Sequence, residues 1–205
     1  MVSANLVADA VSFRPSTLRS VSGPTRLRLA DLLHITDRTA DDVLSGHYDH
    51  VVPPGGVPTD DRWFARLHGD DEVDIWLISW VPGHRTELHD HGGSLGALTL
   101  LSGSLDEFRW DGERLRCRRL EAGDQAGFPL GWVHDVVWAP TGPGPSVTSP
   151  ALTSLAETLG PETQTPSLSV HAYSPPLTVM SYYEVADQHR LRRKRTELTD
   201  QPENL

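Results

Sequence analysis

Two closely spaced histidines, His89 and His91, are candidate ligands for a metal ion. They lie two positions apart in the segment His89-Asp90-His91. On a β-strand this spacing places both imidazoles on one face and Asp90 on the other, because successive side chains alternate. Two neutral imidazoles that converge from one strand are suitable ligands for a transition metal. Two surface histidines would show the same spacing, so the pair alone leaves a metal site and an ordinary exposed strand open.

The elements around the pair are predicted to be short β-strands. Between residues 63 and 138, short apolar and alternating runs are separated by glycine-containing turns. Many short strands at a spacing of about 8–12 residues are typical of an all-β barrel or sandwich. Further strands are predicted at 168–173 and 177–185. In front of the barrel, the pattern of residues 25–44 indicates one or two short amphipathic helices.

These elements divide the chain into three parts. Residues 1–58 are predicted to form an N-terminal helical segment that packs on the barrel, and the Pro- and Gly-rich stretch 52–58 ends it. Residues 59–186 are predicted to form the barrel domain, with a loop rich in Pro, Ser and Thr at 140–166. Residues 187–205 carry the run HRLRRKR and are predicted to be a charged, disordered tail.

Composition excludes several classes of partner. The 205 residues contain 18 Lys and Arg against 28 Asp and Glu, which gives a formal net charge of −10. Such a surface repels nucleic acid and anionic membranes, so neither is expected as a partner. No apolar run reaches the roughly 18 residues of a membrane-spanning helix, and no secretory signal is expected. A single cysteine, Cys117, excludes an internal disulfide and fits a reducing compartment. We therefore expect a cytoplasmic protein, and a monomer.

Glycine, proline and histidine positions around the pair resemble the two motifs of the cupin superfamily. The first motif, G-x5-H-x-H-x4-E-x6-G, matches at Gly83, His89, His91 and Gly103, with Gly96 in the place of the glutamate. The second, G-x5-P-x-G-x2-H-x3-N, matches at Gly123, Pro129, Gly131 and His134, with Trp138 in the place of the asparagine. The resemblance implies an all-β cupin fold, a small β-barrel or jelly roll with a metal inside. It makes His134 the third ligand.

Within the cupins, a three-histidine site without a carboxylate is the pattern of the thiol dioxygenases. The chain resembles the cysteine dioxygenase family over roughly residues 60–185, through the segments SWVPGHRTELHDHGGS and SVHAYSPPL. In that family a Ser-x-His-x-Tyr strand ends in an active-site tyrosine, and the three side chains form a hydrogen-bonded relay. By this resemblance Ser169, His171 and Tyr173 are the catalytic residues, and on a strand they share one face.

The substrate of such an enzyme carries a carboxylate, which the family binds with an arginine on the strand before the histidine pair. Arg66 is the candidate for this role, and Arg62 is a competing alignment. The planar guanidinium suits bidentate binding of a carboxylate. Family members that act on 3-mercaptopropionate tend to carry glutamine at this position, so an arginine favours cysteine.

The resemblance therefore implies an enzyme that uses Fe(II) to convert L-cysteine and O2 into cysteine sulfinic acid. His89, His91 and His134 would hold the iron, and the thiol and amine of the substrate would bind to it. Two alternatives stay open. One is a dioxygenase of another small thiol such as 3-mercaptopropionate, and the other is a non-catalytic, metal-binding cupin that acts as a sensor.

Overall fold

The computed structural model describes residues 27–140, 165–186 and 190–202. In this part of the chain, one α-helix, α1 (Leu29–Leu44), and a short 3-10 helix (Asp49–Val51) precede eleven β-strands. In chain order the strands are β1 (Phe64–Gly69), β2 (Asp74–Trp80), β3 (His89–Asp90), β4 (Leu95–Ser102), β5 (Ser104–Trp110), β6 (Leu115–Glu121), β7 (Gln125–Phe128), β8 (His134–Ala139), β9 (Ser167–Ser174), β10 (Val179–Ala186) and β11 (Arg190–Leu198).

The strands form two antiparallel sheets that enclose an apolar core. The five-stranded sheet has the order β1-β2-β9-β4-β7, and the six-stranded sheet has the order β11-β10-β3-β8-β5-β6. Inward side chains of both sheets pack together, among them Ile78, Leu98, Leu100, Leu105, Leu120, Phe128, Val136 and Met180. The expected all-β fold, with helical structure ahead of the barrel, is therefore confirmed.

Helix α1 covers the outer face of the five-stranded sheet. Its N-terminus is closed by the backbone N–H of Arg28, which donates to the carboxylate of Asp31 at 2.7 Å. Its buried residues recur at helical spacing and are Leu32, Thr36, Thr39, Ala40 and Val43. They join a second apolar cluster with the outward residues Leu77, Ala97 and Val170 of the sheet. Strands β2 and β9 are consequently buried along their whole length.

The charged C-terminal segment is not a disordered tail, so that prediction is wrong for residues 190–198. They form β11, which pairs with β10 in antiparallel register. Arg192 forms an ion pair with Glu184 of β10, and Lys194 lies 2.6 Å from a carboxylate oxygen of Glu87. Opposite charges across neighbouring strands stabilise a sheet, so a basic run can be a strand when carboxylates face it.

Other parts of the expected organisation lie outside the described residues. The loop predicted at 140–166 falls mostly on residues 141–164, and the N-terminal segment begins with the undescribed residues 1–26. The division into three parts therefore stays a prediction. Over the ranges that the structure covers, no helix is long and apolar enough to cross a membrane.

Candidate metal centre

Three histidines meet inside the barrel. His89 belongs to β3, His91 follows that strand directly, and His134 is the first residue of β8. Antiparallel pairing of β3 with β8 places His89 opposite His134. One ring nitrogen from each histidine lies within 4.8 Å of the others, and all three side chains are buried. The structure therefore brings together the three residues that the motifs indicated, in a cluster that could hold a metal ion.

Asp90, between two of these histidines, faces the opposite direction and anchors the turn. Its carboxylate accepts hydrogen bonds from the hydroxyl of Tyr183 at 2.6 Å and from the backbone N–H of Gly92 at 2.9 Å. Gly92 has a φ of 58°, and a Cβ at this position would collide with Val179. A glycine is required here for both reasons. The turn begins directly after the buried His91 and is closed by the backbone N–H of Ser94, which donates to the backbone oxygen of His91 at 3.0 Å.

Acceptor groups lie next to the Nδ1 atoms of two of the rings. Nδ1 of His89 lies 2.7 Å from the backbone oxygen of Glu87, so Nδ1–H donates and the lone pair is left on Nε2. Nδ1 of His134 lies 3.7 Å from Oε1 of Glu107, which is longer than a hydrogen bond but close enough for a charge to act. Burial lowers the pKa of His134 to about 4, so its imidazole is neutral at pH 7. Neutral imidazole is the form that binds metals.

Glu107 is a buried carboxylate that the sequence analysis missed. It is 4% exposed, and its Oε2 accepts hydrogen bonds from Nε and Nη2 of Arg118 at 3.2 and 2.8 Å. Burial raises the pKa of Glu107, but its contacts with His134 and Arg118 outweigh burial and hold the pKa at about 2. The sequence signal that could have revealed Glu107 is its spacing of two residues from Leu105 on β5, which places both side chains on the inward face.

The donor set fits a transition metal. Both ring nitrogens of His134 are buried and lack a hydrogen-bond partner within the described ranges, which is costly unless another ligand binds them. Three imidazoles suit metals such as iron or zinc better than magnesium or calcium. At Gly96, a Cβ would lie 2.9 Å from the Phe128 ring and 3.1 Å from His91. No carboxylate can therefore be carried at this position without moving its neighbours.

Strand β9 forms the wall beside the histidine cluster. Ser169, His171 and Tyr173 are all buried on its inner face, as the strand spacing predicted. Nδ1 of His171 and the hydroxyl oxygen of Tyr173 are joined by a hydrogen bond of 3.1 Å. The ring centroid of Tyr173 lies 4.9 Å from that of His91, so the tyrosine borders the cluster.

Trp80 supports this wall and was not predicted from the sequence. Its indole N–H donates to Oγ of Ser169 at 2.8 Å. Its ring centroid lies 5.8 Å from that of His171. The side chain of Trp80 therefore contacts two of the three residues of the Ser-x-His-x-Tyr strand. The only sequence signal was its place in the SWVPG segment.

Arg66 lies on β1 and Arg62 lies two residues before that strand, and the two arginines have different partners. The guanidinium of Arg66 forms an ion pair with Asp74, whose carboxylate is 2% exposed, while the Arg66 side chain is 48% exposed. Asp74 lies opposite Tyr173 in the strand register. The guanidinium of Arg62 lies 4.3 Å from the ring centroid of Trp80. Arg66 thus contacts a carboxylate of the protein itself, and Arg62 contacts the indole that supports the β9 wall.

Several solved structures are similar to this chain. An uncharacterized protein with a double-stranded β-helix domain from Klebsiella pneumoniae is 16% identical, with 72% of this chain and 93% of that chain covered and a TM-score of 0.42. The cupin domain of Cnp3 from Schizosaccharomyces pombe is 8% identical, with 58% and 64% covered and a TM-score of 0.41. KdgF from Halomonas sp. is 14% identical, with 58% and 84% covered and a TM-score of 0.40. At such low identities and scores, these structures support no conclusion about activity.

A family model, in contrast, matches part of the sequence. The model of cysteine dioxygenase type I matches residues 59–126. A sequence search of curated proteins finds no match. The matched residues include His89 and His91, whereas His134 and Tyr173 lie beyond them. The resemblance to the cysteine dioxygenase family is therefore confirmed over residues 59–126, the part of the chain that builds strands β1 to β6.

Proposed function

We propose that this protein is an iron(II)-dependent thiol dioxygenase that oxidises L-cysteine with O2 to cysteine sulfinic acid. Both oxygen atoms end on the sulfur, which loses four electrons while O2 gains four, so no further reductant is needed. The observation that carries this proposal is the cluster of three buried histidines in a chain that matches the cysteine dioxygenase model.

His89, His91 and His134 would hold the iron. Three neutral ligands leave the full charge of the metal uncompensated, which favours an anionic thiolate as a further ligand. When bound, the iron would supply the site at which the thiol and O2 meet. The backbone oxygen of Glu87 and the carboxylate of Glu107 would keep the rings of His89 and His134 in the orientation for binding.

Tyr173 would position the substrate. Its hydroxyl group is hydrogen-bonded to His171 and its ring contacts His91, so it lies between the β9 wall and the proposed metal. A phenolic hydroxyl can donate to the carboxylate of the substrate or hold a proton next to the reacting sulfur. Trp80, through its contacts with Ser169 and His171, would limit the directions that this hydroxyl can take.

Arg66 is the proposed partner of the substrate carboxylate, with Arg62 as the alternative. A guanidinium has five N–H donors, and the ion pair with Asp74 involves Nη2. Other N–H groups of Arg66 can therefore still bind a carboxylate. The same ion pair supports a second candidate function, a dioxygenase of another small thiol such as 3-mercaptopropionate. The preference for cysteine depends on a positively charged arginine at this position, where relatives that act on 3-mercaptopropionate tend to carry a neutral glutamine. Asp74 compensates the charge of Arg66 and so reduces this difference.

The proposed reaction needs no partner besides L-cysteine and O2. The three histidines, Tyr173 and Arg66 all come from one chain, so a monomer suffices. A cytoplasmic location, where thiols stay reduced, would suit both this substrate and a protein with a single cysteine.

The test is an oxygen-uptake and product assay. Protein loaded with Fe(II) under anaerobic conditions is mixed with L-cysteine and isotope-labelled O2, and the product is analysed by mass spectrometry. We expect oxygen consumption and a sulfinate in which both oxygen atoms carry the label, and no turnover by the control variant His89→Ala. A higher kcat/KM for 3-mercaptopropionate than for cysteine would select the second candidate. If neither thiol, nor cysteamine, leads to oxygen consumption, the chain is not a dioxygenase of small thiols and the non-catalytic cupin is favoured.

A further inference from the structure

A cleft lies where the edge strands of the two sheets meet. The five-stranded sheet ends with β7 and the six-stranded sheet ends with β6. A cavity of about 280 Å³ is lined by residues from both edges, among them Glu107, Arg109, Arg116, Arg118, Pro129 and Trp132. We call this cavity the seam cleft.

Two of the three arginines in the seam cleft lie directly opposite each other. Arg116 and Arg118 lie on the same face of β6 as Leu120, a residue of the barrel core, and both are about half exposed. The register of β5 with β6 pairs Arg109 with Arg116. Like charges that are directly opposite on neighbouring strands destabilise a sheet. This pair is therefore expected to need compensating negative charge.

Among the residues that the structure describes, carboxylates compensate two of the three arginines. Arg118 lies 2.8 Å from an oxygen of Glu107, and Arg116 lies 2.6 Å from an oxygen of Asp111. For Arg109, no acidic partner is present in the part of the chain that the structure describes. Counted over the described ranges, the seam cleft thus carries an excess of one positive charge, although the whole chain has a net charge of −10.

Trp132 holds the guanidinium of Arg109 in place. The central carbon of the guanidinium lies 4.5 Å from the ring centroid of Trp132, which is a cation–π contact. Stacking of this kind occupies the face of the guanidinium and leaves the N–H donors at its edge available. The strand register also pairs Arg109 with His134 of β8. The available N–H donors of Arg109 therefore lie on the strand next to β8, which carries His134 of the proposed metal centre.

We propose that the seam cleft binds a small oxyanion with a carboxylate, sulfinate or sulfate group. A planar guanidinium fork matches the oxygen atoms of such groups in pairs. The volume lies just below the range of about 300–1,000 Å³ of typical ligand sites, so the anion has few heavy atoms. It is either a free anion or the acidic group of a substrate or product, and the second source rests on the proposed function.

Edge protection is the competing explanation for these arginines. Charged residues that point inward on an edge strand prevent pairing with another sheet. That explanation covers Arg116 and Arg118, because β6 is an edge strand. It does not cover Arg109, because β5 lies between β8 and β6 and has no open edge.

Titration of the full chain with inorganic sulfate by calorimetry tests the proposal. We expect saturable binding that Arg109→Ala weakens by about tenfold or more, the effect of losing a charge-assisted hydrogen bond. The matched control is Arg119→Ala, because Arg119 lies on β6 but pairs with Asp106 at 2.6 Å on the other face. Absence of saturable binding, or equal affinity in Arg109→Ala, would overturn the proposal. If Arg109→Ala does not fold, Arg109→Lys serves as the second variant. It keeps the positive charge but lacks the planar guanidinium, so it should also bind sulfate less tightly than the wild type.

Competition separates the two sources of the anion. If L-cysteine or cysteine sulfinate displaces sulfate from the wild-type chain, the acidic group of a substrate or product occupies the cleft. If neither displaces sulfate, the occupant is a free anion. The variant His89→Ala should keep full sulfate affinity, so the seam cleft can be present even if the proposed dioxygenase activity is not.

Discussion

The two sheets contribute differently to the histidine cluster. The six-stranded sheet provides His89 and His134 and backs them with the buried carboxylate of Glu107, which is paired with the half-exposed Arg118, so we call it the charged wall. The five-stranded sheet faces the cluster with neutral, hydrogen-bonded groups of β9 and Trp80, so we call it the neutral wall. Arg66 and Asp74, also on the five-stranded sheet, form an ion pair at its margin, because Arg66 is half exposed.

Under the proposed function, this difference assigns metal binding and substrate positioning to separate parts of the barrel. Groups that orient the imidazoles act on metal affinity, whereas groups that border the cluster act on turnover. Changes in the charged wall should therefore appear in metal titrations. Changes in the neutral wall should leave those titrations unaltered and appear in the rate.

The largest expected effect is that of His134→Ala in the charged wall. Loss of an outer partner of a metal ligand typically lowers metal affinity about 10–100-fold, so loss of the ligand itself should lower Fe(II) affinity by more than about 100-fold. Competition with a chelator measures this. The neutral-wall variant His171→Ala is the control and should bind Fe(II) normally. Full iron content in His134→Ala would mean that another residue is the third ligand.

The charged wall should also make the metal-free protein sensitive to mild acid. Burial lowers the pKa of His134 from 6.5 to about 4, so between these values the unfolded chain binds a proton that the folded chain does not. This contribution to stability is complete above pH 6.5 and is lost progressively as the pH falls to about 4. At about 1.4 kcal/mol per pKa unit, the loss is on the order of 3 kcal/mol. Urea denaturation at several pH values in this range gives the free energy of unfolding as a function of pH. This free energy should change less with pH in His134→Leu than in the wild type. An equal pH dependence in both proteins would contradict the assignment to His134.

Arg66→Ala tests whether the margin of the neutral wall binds the substrate. A charge-assisted hydrogen bond contributes roughly 1.5–3 kcal/mol, so kcat/KM for cysteine should fall about 10- to 150-fold. Cysteamine lacks the carboxylate and should be affected little. Arg62→Ala is the matched variant. If Arg62→Ala alone shows the selective loss, Arg62 binds the carboxylate, and equal losses for both substrates would mean that Arg66 supports the fold.

Glu107→Gln should have a smaller effect on metal affinity than loss of a ligand. The carboxylate lies 3.7 Å from Nδ1 of His134, so its influence is that of a nearby charge. We expect Fe(II) affinity to fall by about tenfold, at the lower end of effects from outer partners. Glu113→Gln, a change at an exposed position, is the control. Unchanged affinity in Glu107→Gln would show that Glu107 serves only as the partner of Arg118.

Tyr173→Phe should produce the smallest effect and the clearest separation of the two walls. Loss of one hydrogen bond of about 1 kcal/mol predicts a decrease in kcat of roughly fivefold. Fe(II) affinity should stay the same, because Tyr173 contacts the His91 ring but is not in the donor cluster. A loss of iron together with activity would show that the neutral wall also supports the metal.

The histidines could be predicted from the sequence because their signal is local. His89 and His91 share a short segment, and His134 is implied by the resemblance to the second cupin motif, whose glycine and proline positions match at Gly123, Pro129 and Gly131. The common face of Ser169, His171 and Tyr173 follows from the period of two in a strand.

The partners of charged groups could not be predicted, because they depend on strand register. Arg66 meets Asp74 across a hairpin whose register shifts at a bulge between Arg66 and His68. Glu107 meets Arg118 across another hairpin, and its place beside His134 depends on the pairing of β5 with β8. The basic run of β11 is predicted to be a charged tail, because its pairing with the predicted strand at 177–185 cannot be recognised from charge alone.

Glu87 links the metal centre to the last strand. Its backbone oxygen accepts the hydrogen bond from His89, and its carboxylate lies 2.6 Å from Lys194, a residue 107 positions later. A ribosome adds residues in order, so His89 is made long before the strand that anchors its supporting residue. The contact between Glu87 and Lys194 therefore forms only after β11 has been added and paired, long after His89, His91 and His134 have been made.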